Sequence, residues 1–286
     1  MRIGVIADGV SREVEHAFKV IRGYGINNVE LQYVWDKEIG DLSDIELQRL
    51  IGLLDKYHMN TVCISRHNFS GIEVSKAIQS NPEFIRQMDA FRRCIDTARQ
   101  LDCQLIRIMG MRKEMVLFGY GGAEEWNVAK GAWDMFVEVT RSIVSLAQSA
   151  GVTLVIETGN GGMVNSAHLG ARLCREIDSS SLKVLWDPAN CLFSGESPIP
   201  EGYESIKNHL AHVHIKDTRA WISRATLEQV PYGDGHLGPY LADIAKALSQ
   251  DGYEGVVSYE SVHRPKDGAF EDGFHGSVQA FLRDFS

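Results

Sequence analysis

The sequence is short of positive charge and of long hydrophobic runs. Its 286 residues carry 29 Lys and Arg against 38 Asp and Glu, which gives a formal net charge of -9 at pH 7. Proteins that bind a nucleic-acid backbone or an anionic membrane need clustered basic residues, so the composition predicts neither partner. No apolar segment approaches the roughly 20 residues that span a bilayer, and the N-terminal MRIGVIADGV lacks the length and cleavage site of a signal peptide. We therefore expect a soluble, cytoplasmic protein.

Cysteine is sparse, and its spacing suggests no disulfide framework. The count is odd, and the five residues are scattered over a chain of ordinary length, which together predict reduced, buried thiols. Cys191 is the only cysteine beside a candidate site residue, and it lacks the helix start or basic partner that activates a nucleophile. The cysteines are Cys63, Cys94, Cys103, Cys174 and Cys191.

Short runs rich in Val, Ile and Leu recur along the chain, with helix-type segments between them. Runs of this kind, bounded by Gly, Asn, Asp or Ser, are typical of strands buried on both faces of a parallel sheet. Eight such runs alternate with helical patterns, which predicts an α/β fold: a single (β/α)8 TIM barrel domain over residues 1–286. The predicted strands are Ile3–Asp8, Asn28–Tyr33, Thr61–His67, Gln104–Gly110, Thr153–Thr158, Lys183–Asp187, Ala211–Lys216 and Gly255–Glu260.

An open doubly wound sheet is the alternative fold. The dinucleotide-binding pattern Gly-x-Gly-x-x-Gly is missing after the first strand, and the glycines at 159, 161 and 162 lack its spacing, so they predict a loop. Two longer connections, Met111–Glu125 and Arg219–Gly235, have the glycine and aromatic content of active-site loops. The aromatic residues of the 111–126 stretch are expected either to close the site or to form a contact in a homo-oligomer. They are Phe118, Tyr120 and Trp126.

Four predicted strands in the second half of the chain each end in a residue that binds hard divalent metals. The segments TLVIETG, LKVLWDPAN, HVHIKD and VVSYES supply Glu157, Asp187, His214 and Glu260. Three carboxylates and an imidazole suit Mn²⁺, Mg²⁺, Co²⁺ or Zn²⁺, with positions left for substrate oxygens. Any one of them alone could be a surface or helix-cap residue. Barrel enzymes place their chemistry at these strand ends, so the four together predict a site for one metal ion.

Further polar residues near these strand ends are candidates for substrate binding. Asn190, three residues after Asp187, fits either a turn or helix cap or a ligand to substrate or metal. Lys216 shares the facing of His214 and could hold a substrate oxyanion or phosphate, or be a surface lysine. His67 ends the third predicted strand and His263 follows Glu260, and either could bind substrate. His212 is expected to be an interior histidine, and Asp8 and Glu30 are weaker candidates.

These residues also carry a resemblance to a known family. The segments VIETGN, WDPAN, HVHIKD and SYESVH, with NVEL on the second strand and a late YGDGH, resemble the xylose-isomerase-like superfamily of sugar phosphate isomerases and epimerases. The resemblance implies that Glu157 and Glu260 bind the metal and also act as an acid–base pair. The family's epimerases carry a His at the position of Asn190. They also carry an Arg shortly after the His ligand, for which Arg219 is the nearest candidate.

The function that the resemblance implies is a divalent-metal-dependent isomerase or epimerase. Its substrate would be a small sugar, keto-sugar or polyol derivative, deprotonated to an enediolate that the metal holds. The alternative is a lyase on the same fold, either a dehydratase or an enzyme that cleaves a keto-glycoside. A non-catalytic sugar-binding barrel is less favoured. A repair endonuclease is disfavoured because it would need a basic groove, whereas this chain is acidic.

Overall fold

The computed structural model describes residues 1–112, 131–224 and 226–286, and these form a closed barrel of eight parallel strands. The first strand of the chain pairs with both the second and the last strand of the barrel, so the sheet has no free edge. This closure confirms the predicted barrel and excludes the open doubly wound sheet. The barrel strands are β1 (Arg2–Ile6), β2 (Asn28–Leu31), β3 (Asn60–Asn68), β4 (Leu105–Ile108), β5 (Thr153–Glu157), β6 (Leu182–Trp186), β7 (Leu210–Ile215) and β8 (Val256–Tyr259).

Helical segments follow the strands and cover the outside of the barrel. Their ends match local sequence signals: Asn81 caps a helix that has Pro82 at its first position, and a glycine with positive φ, Gly151, ends the helix before β5. After β6 two short helices stand in place of one long one. The α-helices of the described chain are α1 (Val14–Gly23), α2 (Asp44–Tyr57), α3 (Pro82–Gln100), α4 (Ala132–Ala150), α5 (Ala167–Ile177), α6 (Pro188–Leu192), α7 (Tyr203–Ile206), α8 (Leu241–Gln250) and α9 (Phe270–Phe285). None of these described helices has the length and apolarity of a membrane span.

Side chains alternate along each strand, so they form two layers: one between the strands and the helices, and one inside the barrel. Outward-facing residues such as Ile156 and Val213 join the large apolar core between strands and helices. Inward-facing Cys63, Val155 and Leu185 form a small separate cluster inside the barrel. Because successive residues of a strand point to opposite faces, this pattern directs the polar residues at the strand ends toward the barrel axis.

The structure corrects the sequence-based picture in two connecting regions. Strand β1 ends at Ile6, and Asp8 lies in a short 3-10 turn (Ala7–Gly9) rather than on the strand. The predicted loop Arg219–Gly235 contains most of an antiparallel hairpin, Asp217–Trp221 with Thr226–Val230, because β-branched and aromatic residues there pair across the connection. Of the other predicted loop, Met111–Glu125, only the first two residues are described. Phe118, Tyr120 and Trp126 lie outside the described residues.

Asp217 holds the connection after β7 in place, and its loss should destabilise the protein. Its carboxylate is 2% exposed and accepts hydrogen bonds from the backbone N–H groups of Thr218, Gly233, Gly235 and Leu237, at 2.8 to 3.0 Å. Asp217→Ala would leave these donors unpaired, so we expect the free energy of unfolding to fall by about 2–4 kcal/mol. Urea denaturation followed by circular dichroism measures this change.

The matched control is the exposed neighbour Asp234. Asp234→Ala should change the free energy of unfolding by no more than about 0.5 kcal/mol, as surface substitutions usually do. Equal stability of the Asp217→Ala variant and the wild type would show that the connection is held by other contacts.

Candidate metal centre

The four predicted metal ligands come together at the C-terminal end of the barrel. Glu157 is the last residue of β5, His214 lies near the end of β7, and Asp187 and Glu260 directly follow β6 and β8. Each of the four offers a ligand atom within 4.8 Å of those of the others. Asp187 and His214 are fully buried, and the Glu260 side chain retains 16% of its exposure. The order of the strands in the closed sheet brings these residues together, although they span over a hundred positions of the chain.

One ring nitrogen of His214 faces the carboxylates of Glu157 and Glu260, and the other contacts Glu30, which lies beneath them. Its Nε2 lies 3.0 Å from Glu30 Oε2, while its Nδ1 lies 3.5 Å from Glu157 Oε1 and 3.7 Å from Glu260 Oε2. Nδ1 is buried and has no hydrogen-bond partner among the described residues. Burial opposes a charge on this ring, but the carboxylates of Glu30 and Glu157 raise the pKa of His214 to about 10. The Nδ1 of His214 is therefore a buried nitrogen that can be satisfied either by a metal ion or by a proton shared with the carboxylates.

A divalent metal fits this set of donor atoms. Three carboxylates and one imidazole nitrogen converge from four strands, and the Nδ1 of His214 is a buried polar atom that lacks a hydrogen-bond partner among the described residues. Oxygen and imidazole donors together suit Mn²⁺, Mg²⁺, Co²⁺ and Zn²⁺. The hydrogen bond from His214 to Glu30 is the kind of outer contact that fixes the tautomer and orientation of a metal-ligating histidine.

Asp187 is oriented by the first turn of α6. Its Oδ1 accepts from the backbone N–H of Asn190 at 3.1 Å, and its Oδ2 accepts from the Asn190 side-chain amide at 2.8 Å. The same amide donates to the carbonyl of Thr158 at 3.0 Å. Burial raises the pKa of Asp187 to about 6, although Lys216 opposes this shift. Asp187 is thus the N-cap of α6, and Asn190 lies inside that helix and donates to Asp187 rather than capping the helix itself. A role of Asn190 in substrate binding stays a prediction.

Lys216 lies among the predicted metal ligands. Its Nζ is 2.6 Å from Asp187 Oδ2 and 2.8 Å from Glu260 Oε2, and its side chain is 7% exposed. Burial disfavours the ammonium, but the carboxylates of Asp187 and Glu260 outweigh this effect and raise the pKa of Lys216. The alternative interpretation from the sequence, in which Lys216 is a surface lysine, is therefore wrong.

Arg107 was not predicted from the sequence. It is 2% exposed on β4, and it donates to Glu157 Oε2 at 3.0 Å, to Gln32 Oε1 at 3.2 Å and to the carbonyl of Ser65. Burial opposes ionisation of Glu157, but Arg107 and His214 hold the pKa of Glu157 well below its usual range. The charged residue inside the apolar run LIRI is the sequence feature from which an interior cation could have been predicted.

Glu30, ranked as a weaker candidate, lies beneath the site. It is fully buried on β2, bonds both His212 and His214, and accepts from the Ser65 hydroxyl. Burial opposes its ionisation, yet the two imidazoles hold the pKa of Glu30 well below its ordinary value. His212 is an interior histidine, as predicted. Its Nε2 is bonded to Glu30, and its Nδ1 has no partner among the described residues.

A family model described as the xylose isomerase-like TIM barrel matches residues 18–283. The chain belongs to this family. Inosose dehydratase from Geobacillus thermodenitrificans is 26% identical to it over 147 residues, which is 46% of this chain and 48% of that protein. A second inosose dehydratase, from Clostridium beijerinckii, is 25% identical over 146 residues. The chain therefore matches about half the length of these curated relatives.

Solved structures of other proteins show the same fold. The 3-keto-D-glucoside 4-epimerase from E. coli is 17% identical, with a TM-score of 0.70 over 99% of both chains. The IOLI protein with a bound zinc atom is 16% identical, with a TM-score of 0.75 over 100% of this chain and 98% of that one. A xylose isomerase-like TIM barrel protein from Mycobacterium smegmatis, in complex with magnesium, is 16% identical, with a TM-score of 0.65 over 95% and 89%. At these identities the likeness shows the fold alone.

In this xylose isomerase-like barrel, a cavity of about 360 Å³ opens beside Glu260. Its polar lining includes Asp8, Gln32 and Tyr33, which lie on the connections after β1 and β2. Burial raises the pKa of Asp8, although the backbone N–H of Tyr33 donates to it and lowers that pKa. A larger groove of about 610 Å³ lies between α3 and α4 on the outside of the barrel. The cavity beside Glu260 therefore adjoins the predicted metal ligands, whereas the groove between α3 and α4 does not.

The remaining predicted substrate-binding residues lie outside the four-residue cluster and are held by protein groups. His67 Nδ1 is 3.1 Å from Glu38 Oε1, and His263 Nδ1 is 3.2 Å from the carbonyl of Gln229. Arg219 is on the hairpin after β7, 3.6 Å from Glu228. Their roles in substrate binding stay predictions.

The described cysteines carry no sign of nucleophilic chemistry. Cys191, next to the site, is fully buried, and burial raises the pKa of its thiol well above the usual value. The other four are also buried and free, as the sequence predicts for reduced thiols. A reactive cysteine needs a thiolate stabilised by positive surroundings, and none of these residues has one.

Proposed function

We propose that the protein is a divalent-metal-dependent enzyme that moves a proton next to the carbonyl of a small sugar, keto-sugar or polyol derivative. Its product would be an isomer or epimer of the substrate. The observation that carries the proposal is the convergence of Glu157, Asp187, Glu260 and the unpartnered Nδ1 of His214 beside an open cavity. Among proteins of this fold, the epimerase from E. coli acts on a 3-keto-D-glucoside, which supports a carbohydrate substrate.

The two glutamates have different surroundings, which favours different roles. A bound divalent ion would polarise the substrate carbonyl and make the adjacent C–H more acidic. Glu260 lines the cavity and is the more exposed of the two, so we assign it the removal of that proton. Glu157 is 3% exposed and bonded to Arg107, which suits a metal ligand. A second role for Glu157 in returning the proton remains part of the proposal.

The cavity suits a small hydroxylated substrate. Its volume of about 360 Å³ lies in the lower range of small-molecule sites, which are roughly 300–1,000 Å³. Asp8 can accept hydrogen bonds from hydroxyl groups. The oxygen of the Gln32 amide is held by Arg107, which leaves the amide nitrogen to donate. We propose that these two residues contact the part of the substrate that lies away from the metal.

A dehydratase is the second candidate, and the sequence comparison favours it. Both curated relatives are inosose dehydratases, although the match spans about half of each. Removal of the same proton followed by loss of a β-hydroxyl would give a dehydrated product from the same site. Mass spectrometry of the product separates the two outcomes, because an isomerase or epimerase conserves the molecular formula and a dehydratase removes one water.

Metal content is the first test of the proposed site. We expect about one divalent ion per chain in protein purified without chelator, measured by inductively coupled plasma mass spectrometry. His214→Ala should lose this ion, because the variant removes the only nitrogen donor of the cluster. His168→Ala, at an exposed position on α5, is the matched control and should retain it.

If neither the wild type nor the control binds Mn²⁺, Co²⁺, Mg²⁺ or Zn²⁺ when these are offered, the proposed metal function is wrong. The cluster would then be a structural network of charges. A sugar-binding role without catalysis would become the better hypothesis.

A further inference from the structure

One cation of this chain already lies inside the proposed metal site. Lys216 follows β7 directly, and its ammonium bridges Asp187 on one side and Glu260 on the other, at 2.6 and 2.8 Å. Both carboxylates belong to the proposed ligand set. The ammonium is also nearly excluded from solvent, since only 7% of the side chain is exposed.

A divalent ion held by this ligand set and the ammonium of Lys216 would compete for the same two carboxylates. Metal–oxygen bonds to Mg²⁺ or Zn²⁺ are about 2.0–2.2 Å long, so an ion held by Asp187 and Glu260 would lie between the two residues that Lys216 now joins. Two cations so close together in a buried site repel each other strongly, because little solvent screens them. The lysine therefore has to withdraw from at least one carboxylate when the ion enters.

We propose that Lys216 acts as an internal counter-cation. In the metal-free protein its ammonium lies between Asp187 and Glu260, where the metal would bind, and it moves out of this position when a divalent ion binds. This role rests on the metal site proposed above. Lys216 would keep the carboxylates from repelling one another before metal arrives, and it would lower the affinity of the site for metal. After displacement its ammonium would stay close to the C-terminal end of β7, beside Glu260, which lines the cavity. There it is free to bind a substrate oxygen, the role predicted from the sequence.

The proposal predicts the sign of a change in metal affinity. A lysine that only supports the local structure would, when removed, loosen the ligands and weaken metal binding. A lysine that competes with the ion would, when removed, strengthen binding. Lys216→Met keeps most of the length and apolar volume of the side chain and removes the charge, so it separates these two cases.

Isothermal titration calorimetry with Mn²⁺ tests the proposal on metal-free protein at constant pH and ionic strength. We expect the Kd for Mn²⁺ to fall at least tenfold in Lys216→Met and in Lys216→Gln. Lys207→Met is the matched control, because Lys207 forms ion pairs with Glu204 and Asp251 away from the site. Its Kd should stay within about twofold of the wild type. An unchanged or weaker affinity in both Lys216 variants would overturn the proposal.

Thermal unfolding supplies a second readout that needs no substrate. In EDTA the Lys216 variants should unfold at a lower temperature than the wild type, and Mn²⁺ should raise their Tm by more than it raises that of the wild type. If the metal-free variants do not fold, they can be refolded with Mn²⁺ and the ion withdrawn with excess chelator. Release from the variants should then be slower than from the wild type, and equal or faster release would contradict the proposal.

These experiments test the proposed metal site and the proposed role of Lys216 separately. If the wild type binds Mn²⁺ but the Lys216 variants bind it no more tightly, the metal site stands and the counter-cation role fails. If the wild type binds no divalent ion, the metal site and the counter-cation role both fail.

Discussion

Arg107→Met is expected to lower the free energy of unfolding of the metal-free protein by about 3–5 kcal/mol. Arg107 is buried, and its guanidinium bonds Glu157, Gln32 and the carbonyl of Ser65. Removing one partner of a buried ion pair leaves the other charge uncompensated in surroundings that solvate it poorly. Urea denaturation in the presence of EDTA measures the change, and EDTA ensures that no metal ion replaces the lost charge.

Two further variants show whether the loss of stability comes from the buried ion pair between Arg107 and Glu157. Arg92→Met removes an exposed arginine that pairs with Asp89, and it should change the free energy of unfolding by less than about 0.5 kcal/mol. In the double variant Arg107→Met with Glu157→Gln, the uncompensated carboxylate is gone, so part of the stability should return. A loss below about 1 kcal/mol in Arg107→Met would show that the pair contributes little.

Glu260→Gln is expected to lower turnover and solvent deuterium exchange by a factor of about 10²–10⁴, which is the usual contribution of a general base. The amide cannot accept the substrate proton, while its size and its oxygen are retained. The substitution is at a partly exposed position after β8, so the fold should be kept. The measurement is deuterium uptake from D₂O by NMR and mass spectrometry, with ketoses and inososes as substrates.

Glu254→Gln is the control for this variant, because Glu254 is exposed and lies two residues before the start of β8. It should exchange deuterium at the wild-type rate. The metal content of the Glu260→Gln protein has to be measured as well, since a loss of metal would lower the rate for another reason. If metal-loaded Glu260→Gln protein exchanges deuterium at the wild-type rate, the assignment of Glu260 as the base is wrong.

The fold alone does not decide between an isomerase, an epimerase and a dehydratase. Proteins of this fold include a 3-keto-D-glucoside 4-epimerase, and the curated relatives are inosose dehydratases. All three reactions can begin with loss of a proton next to a carbonyl, a step that one base and one electrophilic metal ion would serve in each case. What differs is the group that acts next and the position of the leaving hydroxyl. Asp8 and Gln32 line the cavity, and we propose that residues such as these make that difference.

Much of the fold and the composition of the candidate site could be predicted from the sequence. The barrel follows from the regular alternation of strand and helix patterns, because parallel strands need crossover helices. The convergence of Glu157, Asp187, His214 and Glu260 follows from their position at strand ends, since the C-terminal ends of all barrel strands meet on one face. The direction of each side chain follows from the two-residue period of a strand.

The sequence by itself determined that Glu157, Asp187, His214 and Glu260 meet at the top of the barrel, and the tertiary structure decided which buried cations pair with them. Arg107 reaches Ser65, Gln32 and Glu157, which come from three other places in the chain. Lys216 likewise lies between residues of two neighbouring strands. Strand periodicity shows which face a side chain occupies, but the pairing of buried charges depends on distances of a few ångströms. Those distances are set by the packing of the closed barrel, because a buried charge is stable only where its partners lie within contact.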